Sequence, residues 1–144
     1  MKISATRDFK RGRKKVFATF TDPARLDTVI GDFGANLQRQ GDGGVGSQWT
    51  VDVSTGRQTI PVNLVLAECT TNQMIRLQAQ SAPVHADVTF VFSELPEGGC
   101  QVSTEAMLEP RTLAARVSLQ TLRLAKGKLE SRLERVLAAM GRPG

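Results

Sequence analysis

The spacing of apolar residues changes three times along this chain. Met1 to Phe9 alternates, with Ile3, Ala5 and Phe9 on one face, and predicts a first strand. Val16, Phe17 and Phe20 then gather on one side of a helical segment from Arg13 to Thr21. A second helical piece follows, with Asp22 suited to the N-cap and Pro23 to the first helical position, running toward Ile30 and stopping near Gly31. Pieces this short do not persist alone, so both must pack on something larger. From Ala35 the period is two. A short strand precedes a glycine loop, Gly41 to Gly46, and the alternating sets are then Trp49, Val51, Val53; Ile60, Val62, Leu64, Leu66; Ile75, Leu77, Ala79; and Ala86, Val88, Phe90, Phe92. After a Pro96-Glu97-Gly98-Gly99 turn comes the last set, Cys100, Val102, Thr104, Ala106 and Leu108. Turn residues separate these runs, which predicts an antiparallel meander.

Beyond Pro110 the period becomes helical, with Thr112 as the N-cap. Ala115, Leu119, Leu122, Leu129, Leu133, Val136 and Met140 recur at steps of three and four, broken only where Lys126 occupies an apolar position. A helix from Thr112 to Met140 spans on the order of 40 Å at about 1.5 Å per residue, enough to cross a small domain. The expected architecture is α+β: a seven-stranded antiparallel curved sheet gripping a long C-terminal helix, with two short helices between strands 1 and 2, in one domain over 1–144. The apolar face of the sheet must be covered, and this helix is the only element long enough to do it.

Composition narrows the setting. The chain is 40% hydrophobic and 23% charged. It has no apolar run of membrane-spanning length and no signal-peptide core, so a cytoplasmic location is expected. Cys69 and Cys100 are too few for a disulfide framework and are expected as free thiols on non-adjacent strands. The net charge of +5 is segregated: residues 1–15 carry +6, residues 16–110 carry −7 and residues 111–144 carry +6. If the basic ends meet, they face an anionic partner such as a membrane surface; otherwise they are solvated terminal charges. The basic segments lack interleaved aromatics, which argues against single-stranded nucleic acid. No His, Cys and carboxylate set has metal-ligand spacing, so neither metal nor cofactor is expected.

Three stretches carry a resemblance: Val16-Phe17-Ala18 with Thr21-Asp22-Pro23, the step Gly46-Ser47-Gln48-Trp49, and Leu108-Glu109-Pro110-Arg111-Thr112 leading into the helix. With the order of elements, they make the chain resemble the SRPBCC or START-like helix-grip superfamily over essentially its whole length. That superfamily includes polyketide cyclase/dehydrase-like proteins, lipid-transfer domains and the plant pathogenesis-related allergens. The resemblance implies an apolar cavity between sheet and helix that takes a lipid, sterol or polyketide, with chemistry in a few members.

Gly41-Asp42-Gly43-Gly44-Val45-Gly46 contains a G-x-G-x-x-G match, but it opens a strand and not the helix a dinucleotide site requires. It resembles the glycine-rich loop of the plant ligand binders. It is either an anion-facing amide loop or a hairpin connection. His85, the single histidine, has the parity opposite to Val88, Phe90 and Phe92 and so points away from the cavity; the chain has no tyrosine. No catalytic pair emerges, and the expectation is a binder of a hydrophobic or amphipathic small molecule rather than an enzyme. The rival readings are a cyclase or dehydratase-like enzyme and a docking module for an anionic surface. The expected ligand-facing residues are Phe17, Ile30, Phe33, Trp49, Val51, Val62, Leu64, Leu77, Val88, Phe90, Thr104, Leu119 and Leu122, with Lys126 and Arg7 as polar contacts for a head group. The aromatic members line a pocket or fill a core. Lys126 and Arg7 either reach inward or snorkel to solvent.

Overall fold

The alternating segments pair into one seven-stranded antiparallel sheet in a computed structural model that describes residues 1–143; Gly144, the end of the expected domain, lies outside the described residues. The strands are β1 (Lys2–Phe9), β2 (Ala35–Gln40), β3 (Gln48–Ser54), β4 (Thr59–Thr70), β5 (Met74–Gln80), β6 (Val84–Glu94) and β7 (Cys100–Pro110). Their order is β1-β7-β6-β5-β4-β3-β2, a meander with the first strand returned beside the last. A register shift between Leu66 and Glu68 in β4 bends the sheet, as bulges do.

Two short helices, α1 (Arg13–Phe20) and α2 (Pro23–Gly31), lie between β1 and β2, as the pattern predicts. Asp22 caps α2 by accepting the Ala24 N–H at 3.2 Å, with Pro23 supplying a preset first turn. They hold through the core and not through their own propensity. Phe20 is the hub: its ring meets Phe9, Phe90 and Phe92 edge-on, with centroids 6.0, 5.9 and 5.1 Å away. Phe17 meets Phe92 at 5.1 Å. Trp49 is wholly buried and donates its indole N–H to Asp27 of α2 at 2.8 Å, so the strand anchors the helix by a polar contact as well.

The long C-terminal helix runs from Leu113 to Gly141 and changes pitch once. It comprises α3 (Leu113–Leu122), a 3₁₀ turn at Arg123–Ala125 and α4 (Lys126–Gly141). Thr112 is its N-cap, accepting the Ala115 N–H at 3.0 Å. The tighter turn resolves the break in the apolar stripe. It rotates the following residues so that Ala125 is half-buried and Lys126 is exposed, and Leu137, wholly buried, becomes the deepest residue of α4.

α4 is docked along the edge strand β1. Glu130 accepts the otherwise free Ser4 backbone N–H at 2.9 Å, and one turn later Glu134 sits 3.6 Å from Arg7. At the far end Arg11 and Arg25 donate to the carbonyls of Gly141 and Ala139, the orphan acceptors of a helix C-terminus. Gly141 lies flat against the Phe9 ring, where any added Cβ would collide with ring carbons.

Two outcomes follow for stability. Gly141→Ala should lower it by about 1–3 kcal/mol, because the new methyl forces the Phe9 ring or the helix end to move. Thr104 is 1% exposed and its hydroxyl is unpartnered among the described residues, so Thr104→Val should leave stability unchanged or raise it by about 1 kcal/mol. Urea unfolding of both variants checks these signs.

Candidate functional site: an apolar cleft under the first half of the C-terminal helix

The inner face of the sheet is covered unevenly. Under α1, α2 and α4 its residues are sealed: Leu66 and Phe92 are each 2% exposed and Val102 is 0% exposed. α3 leaves β7 at Pro110 and makes its main contacts with that strand alone, while α4 packs on β1, α1 and α2. Beneath α3 the inward residues Val53, Ile60, Val62 and Val84 are only half-buried. The space between is a cleft of about 1160 Å³, walled by the β3–β4 hairpin, by Ser81–Val84 before and at the start of β6, and by Ala115, Leu119 and Leu122 of α3.

The cleft lining is apolar with hydroxyls and carries no ionisable side chain. Several hydroxyls are engaged locally. Ser81 bonds the Val84 backbone at 2.7 Å, Thr55 donates to the Gln58 carbonyl at 3.0 Å, and Thr112 serves as the helix cap. The side chains of Gln58, Thr59 and Ser118 have no hydrogen-bond partner among the described residues. A cleft of this kind can bury apolar surface and exchange a few neutral hydrogen bonds. It offers nothing to hold a charge or move a proton.

The residues expected to face a ligand divide into three groups. Val62, Leu119 and Leu122 line the cleft, with Leu122 at its lip. Phe17, Ile30, Trp49, Val51, Leu77, Phe90 and Thr104 are buried in the packed half of the interior, and Leu64 and Val88 are half-buried against that core. Phe33, Arg7 and Lys126 stand at the surface. Their placement corrects the expected inward positions. Phe33 lies under the Arg132 guanidinium, 4.9 Å from the ring centroid, in a small groove between α2 and α4. Arg7 shares the inward parity of β1 but stops at Glu134 because β1 is an edge. Lys126 is turned out by the 3₁₀ turn and does not line the cleft. The pattern missed Val53, Ile60, Pro83, Val84 and Ser118 as cleft residues. Strand parity gives the face of a residue but not which half of that face the helix leaves uncovered.

The glycine loop is folded inward on its own atoms. Ser47, 3% exposed, accepts the Gly43 N–H at 2.8 Å; Asp42 accepts that of Gly44 at 2.8 Å; and Gly46 donates to the Leu66 carbonyl at 2.9 Å. Gly43, at φ +99°, lies so close to Pro23 that a Cβ there would collide with the proline ring. These contacts tie the loop to Ser47, to β4 and against the first residue of α2. His85 lines a polar hollow of about 740 Å³ on the opposite face of the sheet, where Arg76 bridges Asp87 at 3.0 Å and Glu68 at 2.6 Å. No group of three metal-ligating side chains occurs among the described residues.

By sequence, no protein-family model and no curated protein matches the chain. By structure, it is similar to truncated norcoclaurine synthase from Thalictrum flavum (TM-score 0.73, 11% identity, covering 98% of this chain and 91% of that one). It is also similar to a protein of unknown function from Staphylococcus aureus (TM-score 0.70, 11% identity, 97% and 90% covered). A third likeness is to Ara h 8.0201 (TM-score 0.62, 10% identity, 98% and 95% covered). These likenesses bear out the START-like helix-grip architecture expected from the sequence. One of these proteins is named as a synthase and another is of unknown function, and the shared fold does not choose between catalysis and binding.

The two cysteines provide a test of the interior. Both are free, on β4 and β7 with β5 and β6 between them, and burial pushes both thiols above their ordinary range. Cys69 is exposed and Cys100 wholly buried. A thiol reagent should label Cys69 in the native protein, faster as pH rises because more thiolate forms, and Cys100 only after denaturation. A mass shift of one label before unfolding and two after it is the expected reading.

Proposed function

We propose that this chain binds a neutral hydrophobic or weakly amphipathic small molecule, of lipid, sterol or polyketide type, in the cleft between α3 and the sheet. The observation that carries this reading is the cleft itself: about 1160 Å³ of mainly apolar space in a chain whose remaining inner face is close-packed. Burial at about 25 cal/mol per Å² supplies the affinity. Val62, Leu119 and Leu122 are the direct apolar contacts, and Leu64 and Val88 extend the floor toward the core. Gln58, Thr59 and Ser118 would meet a hydroxyl or carbonyl of the ligand. With no ionisable group in the lining, the reading is of a carrier or sensor that leaves its ligand unchanged. It also favours neutral over carboxylate ligands, in contrast to a role for Lys126.

Ser118 is exposed at the cleft wall, so a large side chain there fills the cleft without disturbing the core. Titration with a neutral naphthylamine probe and with a fluorescent fatty acid should show the neutral probe bound more tightly. Ser118→Trp should weaken it at least about tenfold, a loss of about 1.4 kcal/mol. Lys126→Met should leave both affinities unchanged. Absence of probe binding by the unmodified protein, or full binding by Ser118→Trp, would sink the proposal. A bound compound recovered chemically altered would move the reading to an enzyme.

A further inference from the structure

The outer side of α3 is unlike the rest of the surface. Leu113, Val117 and Leu124 are 79%, 64% and 92% exposed, whereas Leu119 on the opposite side of the helix is 6% exposed. Leu113 and Leu124 are the most exposed of these, and Val117, which also borders the cleft, joins them in one exposed apolar surface along the helix. The charge around it has one sign. Arg111, Arg116, Arg123, Lys126 and Lys128 are the ionisable residues from 110 to 129, and the next acid is Glu130. Arg111 is 3.2 Å from Glu109; the other four have no ion-pair partner among the described residues. Glu130 and Glu134 are engaged with β1, the first through the Ser4 backbone and the second with Arg7.

We infer that this face docks on an anionic bilayer surface. An exposed apolar surface flanked only by cations is the composition of a helix that lies in a membrane interface, with its leucines among the acyl chains and its arginines at lipid phosphates. Charge decides against a second copy of the chain as the occupant, because a two-fold pairing would bring the unpaired cations of both copies together. No helix among the described residues is long and apolar enough to cross a membrane, so the contact is peripheral. The inference extends the cleft reading, since the same helix walls the cleft with Leu119 and Leu122 and would set its mouth beside lipid.

The test is flotation of the full chain with vesicles of phosphatidylcholine alone or with about a third phosphatidylglycerol. Docking predicts flotation with the anionic vesicles alone and release as salt shortens the screening length. The double variants Leu113→Gln/Leu124→Gln and Arg116→Gln/Arg123→Gln alter residues outside the cleft lining. Each should lower the bound fraction by about tenfold while binding of the neutral probe in solution stays unchanged. No flotation, equal flotation with both vesicle types, or flotation unaffected by either double variant would overturn the proposal. So would a dimer in sedimentation that the leucine variant dissociates. Vesicle docking without probe binding would uphold the docking face and remove the cleft reading, so the two failures are distinct.

Discussion

Gly141 lying flat on the Phe9 ring, with Arg11 and Arg25 on the last carbonyls of α4, fixes the end of the C-terminal helix. From that anchor α4 runs along β1, where Glu130 occupies a backbone donor that an edge strand would otherwise expose. The rest of the architecture depends on this docking. It commits α4 to sealing the half of the sheet shared with α1 and α2, around the rings of Phe17, Phe20, Phe90 and Phe92. Close packing there leaves no room for a ligand.

The same commitment creates the cleft. A sheet seven strands wide presents more apolar surface than one helix half can cover, and the 3₁₀ turn at Arg123–Ala125 separates α3 from α4. α3 is held mainly by β7 and its cap at Thr112, so Val53, Ile60, Val62 and Val84 stay half-buried. Packing and potential function are thus divided along one helix: α4 holds the fold together, and α3 borders the space a ligand would enter.

No titratable side chain lines the cleft among the described residues. Charged residues are abundant but lie elsewhere: in the polar hollow around Arg76 and Asp87, along β1 with Glu130 and Glu134, and on the outer side of α3.

The period-two runs, the caps at Asp22 and Thr112 and the apolar stripe after Pro110 determined the α+β architecture, the strand count and the helix positions, because these follow from local spacing and backbone chemistry. They also placed His85 on the outer face and the two cysteines on separated strands. The lining of the candidate cleft was legible only in part. Val62, Leu119 and Leu122 were readable because inward parity and the cleft coincide there, whereas Trp49, Phe90 and Thr104 have the same parity and are packed shut. Lys126 was misplaced because the 3₁₀ turn just before it leaves its side chain in solvent; the break in the apolar stripe marks the place but not the direction in which the chain turns there. Which half of the sheet is covered, and hence where space remains, was decided by contacts between residues more than a hundred positions apart, such as Phe9 with Gly141 and Ser4 with Glu130.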